Sequence, residues 1–311
     1  MNKPDIPALS VVIPTRNRPK RLRLTLDGLA AQVQAPEEIV IVDASDDANE
    51  IVRLNAEYGM RFACFKAVRA AARGAAVQRN QGVALATGEL IGFCDDDIDF
   101  ETNCIAGLRE FLIAHPAFGG VSATVTNQAP QGFGKATRAV VGLMDVNRGR
   151  PLDGRVIGPA LNFLPALKDQ VTGPCESEWL NTTCTVYRRH LLPVPPFESQ
   201  FRGYSMLEDV CLSTRVGRQA RLAVLRDARI FHDTQPGDHK RNVAALARMS
   251  VENRYYVATR VLGQSCTVTW LQLALWQTFC SAAGLRRPDR AWLMSNWGAL
   301  VALLRLPFHR R

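Results

Sequence analysis

The sequence has no glycine-rich phosphate loop. Neither G-x-G-x-x-G nor G-x-x-x-x-G-K-[ST] occurs in its 311 residues, which excludes the dinucleotide-binding and P-loop readings and the dehydrogenase and kinase chemistry they carry. It has no C-x-x-C pair either. The eight cysteines, at 64, 94, 104, 175, 184, 211, 266 and 280, outline no disulfide or zinc framework, and no apolar run precedes a cleavage site, so a reducing cytoplasm is expected. There is no Lys/Arg block interleaved with aromatics and no helix-turn-helix, zinc-finger or RNA-recognition signature, which argues against a nucleic-acid partner. Two uncharged stretches, 267–285 and 291–304, are respectively rich in Thr, Gln and Ser and short of the roughly 20 residues a bilayer span needs.

What the chain does have is a globular composition, 47% hydrophobic and 22% charged, with a net charge of +9. That charge suits a phosphate-bearing substrate or an anionic lipid surface. The first third alternates β-rich runs with amphipathic stretches. Residues 9–13 form a strand stopping at Pro14; Leu22, Leu26, Leu29 and Val33 make one helical stripe; 38–42 form a second strand ending at Asp43. Ile51, Leu54 and Tyr58 mark a helix, 61–65 a third strand, 74–86 a small-residue helix able to pack closely on a sheet, and 89–94 a fourth strand. Cys104, Leu108, Phe111 and His115 space another helical face. This order predicts an α/β fold, helices flanking a mostly parallel sheet. In such sheets ligands bind beyond the carboxyl ends of strands, where Thr15, Asp43 and Asp95 fall.

Residues 126–180, rich in Gly, Pro and Asn, read as a long irregular excursion. A strand at 183–187, a helix opening at Leu207-Glu208-Asp209 and a strand at 228–231 follow, the last running into His232. From about 242 the character changes to helix, with Ala244, Ala247, Val251, Tyr255, Ala258 and Leu262 on one stripe. Arg286, Arg287, Arg290, Arg305, Arg310 and Arg311 bracket the two uncharged stretches. Residues 264–311 are therefore expected either to lie on a membrane interface or to pack as a helical pair on the main domain or in a homo-oligomer.

Asp95-Asp96-Asp97 is the chemical anomaly. Three adjacent carboxylates at a strand end repel one another and need solvent or a cation to stay ionised together. Hard oxygen ligands point to magnesium or manganese, which commonly shares its shell with substrate phosphates. Taken alone, the run is equally well a solvated acidic turn.

The motifs resolve this in combination. Val11-Val12-Ile13-Pro14-Thr15-Arg16-Asn17-Arg18, Ile41-Val42-Asp43, Gly74 through Arg79-Asn80-Gln81-Gly82 and Phe93-Cys94-Asp95-Asp96-Asp97 recur in the order seen in family 2 glycosyltransferases of the GT-A fold, which the chain resembles. The likeness continues through Glu178-Trp179-Leu180, Tyr187-Arg188-Arg189, Phe197-Glu198, Leu207-Glu208-Asp209-Val210 and Asn253-Arg254-Tyr255-Tyr256, covering roughly residues 8–257.

The resemblance implies a catalytic domain at 1–241, with a nucleotide-sugar half at 8–125 and an acceptor half at 126–241, followed by helices at 242–311. It implies donor contacts from Pro14, Thr15, Arg16, Asp43, Arg79, Asp95 and Asp96, and a divalent metal, Mn or Mg, on Asp97 with Asp95 and His232. Asp209 is the implied general base beside Glu208, and Trp179 is expected against the acceptor sugar, with core packing as its alternative. The implied reaction is an inverting transfer from a nucleotide-diphosphate sugar to a saccharide or lipid-linked saccharide, in polysaccharide or glycolipid biosynthesis at the inner face of the cell membrane. A non-catalytic membrane-surface scaffold of the same fold is one rival. A sugar-phosphate nucleotidyltransferase is another, weakened because residues 14–18 contain no glycine.

Overall fold

The computed structural model describes residues 6–128, 134–147, 150–165, 173–201, 203–234, 242–285 and 288–306. Arg286, Arg287, Arg310 and Arg311, four of the bracketing arginines, lie outside the described residues. The chain divides into two compact units, Met1–Pro130 with Pro165–Gln235, and Gln131–Leu164 with Pro236–Arg311.

The first unit is built on one sheet. Strand β1 (Leu9–Thr15) leads to helix α1 (Pro19–Ala30), β2 (Glu38–Asp43), α2 (Asn49–Tyr58), β3 (Cys64–Arg69), α3 (Ala75–Leu85) and β4 (Leu90–Cys94). The order β3-β2-β1-β4 is parallel throughout, with Thr15 opposite Asp43 and Val12 opposite Phe93. β1 runs on through Pro14, which the sequence reading made its end. Its pairing with β4 stops at Val12, so the N–H that proline lacks breaks no bond there. Leu22, Leu26 and Leu29 are buried as the stripe predicts, whereas Val33 lies beyond α1 and is exposed. The third strand starts at Cys64 rather than Arg61, because Phe62 turns into the core and stacks on Phe65.

Gly82 sets how closely α3 sits on the sheet. A Cβ there would overlap the Val12 side chain, so only glycine permits this approach.

After β4 the chain forms a short strand, β5 (Ile98–Phe100), then α4 (Cys104–Ala114) and β6 (Phe118–Val125), the last fully buried. Neither β5 nor β6 was read from the sequence. The excursion 126–180 is partly regular: α5 (Lys135–Met144) and the two-residue strands β7 (Val156–Ile157) and β8 (Leu161–Asn162) belong to the second unit, and β9 (Pro174–Glu176) to the first. Strand β10 (Cys184–Arg188), helix α6 (Glu208–Gly217) and strand β11 (Arg221–His232) complete the sheet. β10 lies antiparallel between β4 and β6; β11 runs parallel to β6 and antiparallel to β5 and β9.

The second unit contains α7 (Val243–Tyr256), extended by a π-helical turn at Val257–Val261, then α8 (Cys266–Gly284) and α9 (Arg290–Arg305). Val251, Leu273, Ala299, Ala302, Leu303 and Leu306 form one buried cluster of it, and Val141, Met144, Ile157, Leu161 and Phe163 another. A Cβ on Gly298 would overlap the Ala244 carbonyl, so α9 crosses α7 in close contact. Around α5, Asp145 and Arg155 form a buried two-point ion pair at 2.8 Å, and the guanidinium holds the Asp145 carboxyl below its usual range. Among the described residues no helix is long and apolar enough to cross a membrane.

Candidate active site

The carboxyl ends of β1, β2 and β4 carry Thr15, Asp43 and, one residue on, Asp95. The acidic run is the whole connection from β4 to β5, and this explains its geometry. β5 pairs with β11 through Ile98 and His232, while the Asp233 amide donates to the Asp97 carbonyl at 2.9 Å. A histidine remote in sequence is thereby held against the run, with His232 Nε2 3.0 Å from Asp97 Oδ1. Asp95, Asp97 and His232 each present one ligand atom within a 4.8 Å cluster.

Asp96 faces the other way. It accepts from Thr15 Oγ1 at 2.6 Å and from Arg18 Nη1 at 3.0 Å, and the same nitrogen stands 3.3 Å from Asp97 Oδ2. Burial raises the Asp96 carboxyl to about 6 despite these donors. Arg18, which stands in the same motif, was given no role of its own from the sequence. Arg16 is exposed, whereas Arg18 precedes Pro19 at the start of α1 and reaches the acids. Pro14 is partly buried within β1.

Asp43 is fully buried; its Oδ1 accepts from the Ser45 amide at 2.8 Å and from the Ser45 hydroxyl, and its Oδ2 has no partner. Gln78 on α3 donates to the carbonyls of Thr15 and Val42, at 3.0 and 2.7 Å, tying the ends of β1 and β2 together.

Arg79, which the resemblance places among the donor contacts, is the next residue on α3. It is 3% exposed, donates to Asp95 Oδ1 at 2.7 Å and bonds Glu208 Oε1, so one guanidinium links the end of β4 to the start of α6. That start is conformationally strained. Gly203, Ser205 and Leu207 all have positive φ, at 64°, 56° and 70°, and a branched residue such as Leu207 takes this region only when its surroundings impose it. Gly203 forms an isolated bridge to Gly74 ahead of α3, and Asn80 exchanges hydrogen bonds with the Phe197 backbone at 2.7 and 2.9 Å.

α6 thus begins with two acids in a desolvated corner. Burial lifts Glu208 to about 7 even against Arg79, with Asp209 adding to the rise, and burial lifts Asp209 to about 6 while the Val210 amide, 2.8 Å from its Oδ1, opposes. Trp179 is buried at 6% exposure, which supports its core-packing alternative. An exposed aromatic near these acids is Tyr204, 43% exposed, whose hydroxyl is raised by burial and by the fields of Asp95, Asp209 and Glu208. No short sequence pattern singles it out.

The model of the glycosyl transferase family 2 matches residues 10–169, half the chain, and that span contains the whole acidic run. The chain belongs to glycosyl transferase family 2. Within the family it is 33% identical over 91 residues to the uncharacterized glycosyltransferase YibD of Escherichia coli K12; the match covers 29% of this chain and only about a quarter, 26%, of YibD. Two solved structures share the fold at low identity. The mannosyltransferase PcManGT of Pyrobaculum calidifontis, solved with GDP-Man and Mn2+, superposes with TM-score 0.58 at 16% identity, covering 98% of this chain and 88% of that one. S. aureus TarS 1–349, solved with UDP-GlcNAc, gives 0.57 at 19%, covering 96% and 81%. The family 2 sheet, flanked by helices and followed by a helical appendage, is the GT-A arrangement expected from the motifs.

Proposed function

We propose that this family 2 protein transfers a sugar from a nucleotide-diphosphate donor to an acceptor hydroxyl by a single inverting displacement, in polysaccharide or glycolipid assembly. The observation that carries the reading is the separation of two acidic groups across Arg79: Asp95 and Asp97 with His232 on one side, the desolvated Asp209 on the other. The former set fits a divalent ion. Two carboxylate oxygens and an imidazole nitrogen suit manganese, and magnesium less well because of the nitrogen. Such an ion would neutralise the charge on the departing diphosphate.

The chain's own residues do the rest. Asp209, raised to about 6, is ionised at neutral pH yet basic enough to accept the acceptor's hydroxyl proton as that oxygen attacks the anomeric carbon. Glu208 stays with Arg79 and fixes where α6 begins. Thr15 and Asp43 stand at strand ends where a nucleoside would lie, and Asp96 and Arg18 hold the run in shape. Arg79 acts as a positioning residue. The PcManGT and TarS complexes support a nucleotide-sugar donor by analogy of fold. Residues 1–241 are proposed as the catalytic domain and 242–311 as its appendage.

A calorimetric screen of UDP-, GDP- and dTDP-sugars with and without manganese tests this. One donor class should bind, and only with the metal; a chain that binds none of them with manganese present would overturn the reading.

A further inference from the structure

Helix α9 presents an apolar stripe to solvent. Leu293, Trp297, Leu300 and Leu304 are 60%, 62%, 48% and 61% exposed, and their 4-3-4 spacing places them on one helical face. The opposite face is used: Gly298, Ala299, Ala302 and Leu303 are buried in the second unit. On α8, Val268, Leu271 and Leu275 are likewise exposed, at 49%, 56% and 41%, at 3-4 spacing. Leaving so many large apolar groups in water is costly, because each forgoes about 1.5–3 kcal/mol of burial.

The charge of the sequence segment that carries the stripe says what covers it. Residues 253–311 contain eight arginines and a single acid, Asp289, leaving seven of the chain's nine net positive charges in this segment. That one acid is engaged, its carboxylate accepting from the Trp292 amide at 2.7 Å as the cap of α9. Arg290 falls on the stripe's own face at its first turn, and Arg305 closes the helix, both exposed. An apolar face carrying a tryptophan, with cations at both ends and no acid between, matches an anionic bilayer surface: the rings and leucines enter the acyl boundary and the guanidinium groups reach lipid phosphates. A second copy of the chain fits less well, since stripe-to-stripe packing would bring Arg290 and Arg305 of the two copies together with only the two capping aspartates to offset them.

We propose that α9, flanked by the exposed face of α8, is a peripheral docking surface for anionic membrane. The proposal is independent of the donor chemistry.

Flotation of the full-length protein with phosphatidylcholine vesicles, with and without phosphatidylglycerol, tests it. Binding should require the anionic lipid and weaken with salt. Trp297→Glu and Leu300→Glu should each weaken it about tenfold or more, and Arg290→Glu should weaken it and flatten its salt dependence. Both stripe positions are exposed, so unchanged circular dichroism will show that these variants fold. Absence of flotation with the anionic vesicles, equal flotation of wild type and Trp297→Glu, or a wild-type dimer that Trp297→Glu splits into monomers in light scattering would overturn the proposal.

Discussion

At the scale of single residues, Arg79 and Asp209 carry the account. Arg79 stands between Glu208 and Asp95 with almost no exposure, so removing it strands the buried Glu208 carboxyl. Loss of one partner of a buried pair costs about 3–5 kcal/mol. Glu208 has an escape, since it can take up a proton. Its folded value, about 7, already lies above the ordinary glutamate value of 4.5, so the protonated form favours folding and that contribution is lost as pH rises through the folded value. Arg79→Met should therefore destabilise by about 3 kcal/mol at pH 8 and by less at pH 5, read by urea unfolding. A loss that does not depend on pH would mean that Glu208 is not the group left behind. Asp209 makes a separate prediction. A base must be ionised, so transfer should fall as pH drops through an apparent value near 6, a limb set by Asp209 with Glu208 coupled to it. A profile flat from pH 5 to about 8 would remove Asp209 from the base role.

At the scale of elements, the close seating of α3 on β1 aims Arg79 and Gln78 at the strand ends. Gly82 decides that seating, and two effects compete when it is replaced. Alanine in mid-helix gains about 0.5–1 kcal/mol over glycine, whereas overpacking against Val12 costs about 1–3 kcal/mol. The clash wins, so Gly82→Ala should lower the urea midpoint and displace Arg79 enough to reduce transfer with little effect on secondary structure. A stabilised Gly82→Ala protein would show that α3 can lift off the sheet without strain.

Over the whole molecule, β1 and β2 were legible because each is a dense β-branched run beside a helical stripe, whereas β3, with Val68 as its one β-branched residue, was placed three residues early. What escaped has specific causes. β6 begins Phe118-Gly119-Gly120, and glycine reads as loop. Here a Cβ at Gly120 would come 2.5 Å from Tyr187, and one at Gly119 2.7 Å from Leu191, so the glycines exist to let strands and helices meet. β5 is three residues long and hides behind the acidic run. The acids themselves were legible as a set, since their order along the chain matches the family. Arg18 and the inward turn of Arg79 were not, because a side chain's direction depends on which neighbour folds beside it. The donor and base sites are proposed to divide between Asp97 and Asp209, and one paired measurement separates them: titration of the donor with manganese by calorimetry, beside a transfer assay, on Asp97→Ala and Asp209→Asn. Asp97→Ala should lose metal-dependent donor binding, while Asp209→Asn should bind as wild type and lose about 10²–10⁴-fold in transfer. An Asp97→Ala protein that binds manganese and donor as wild type does would contradict the account.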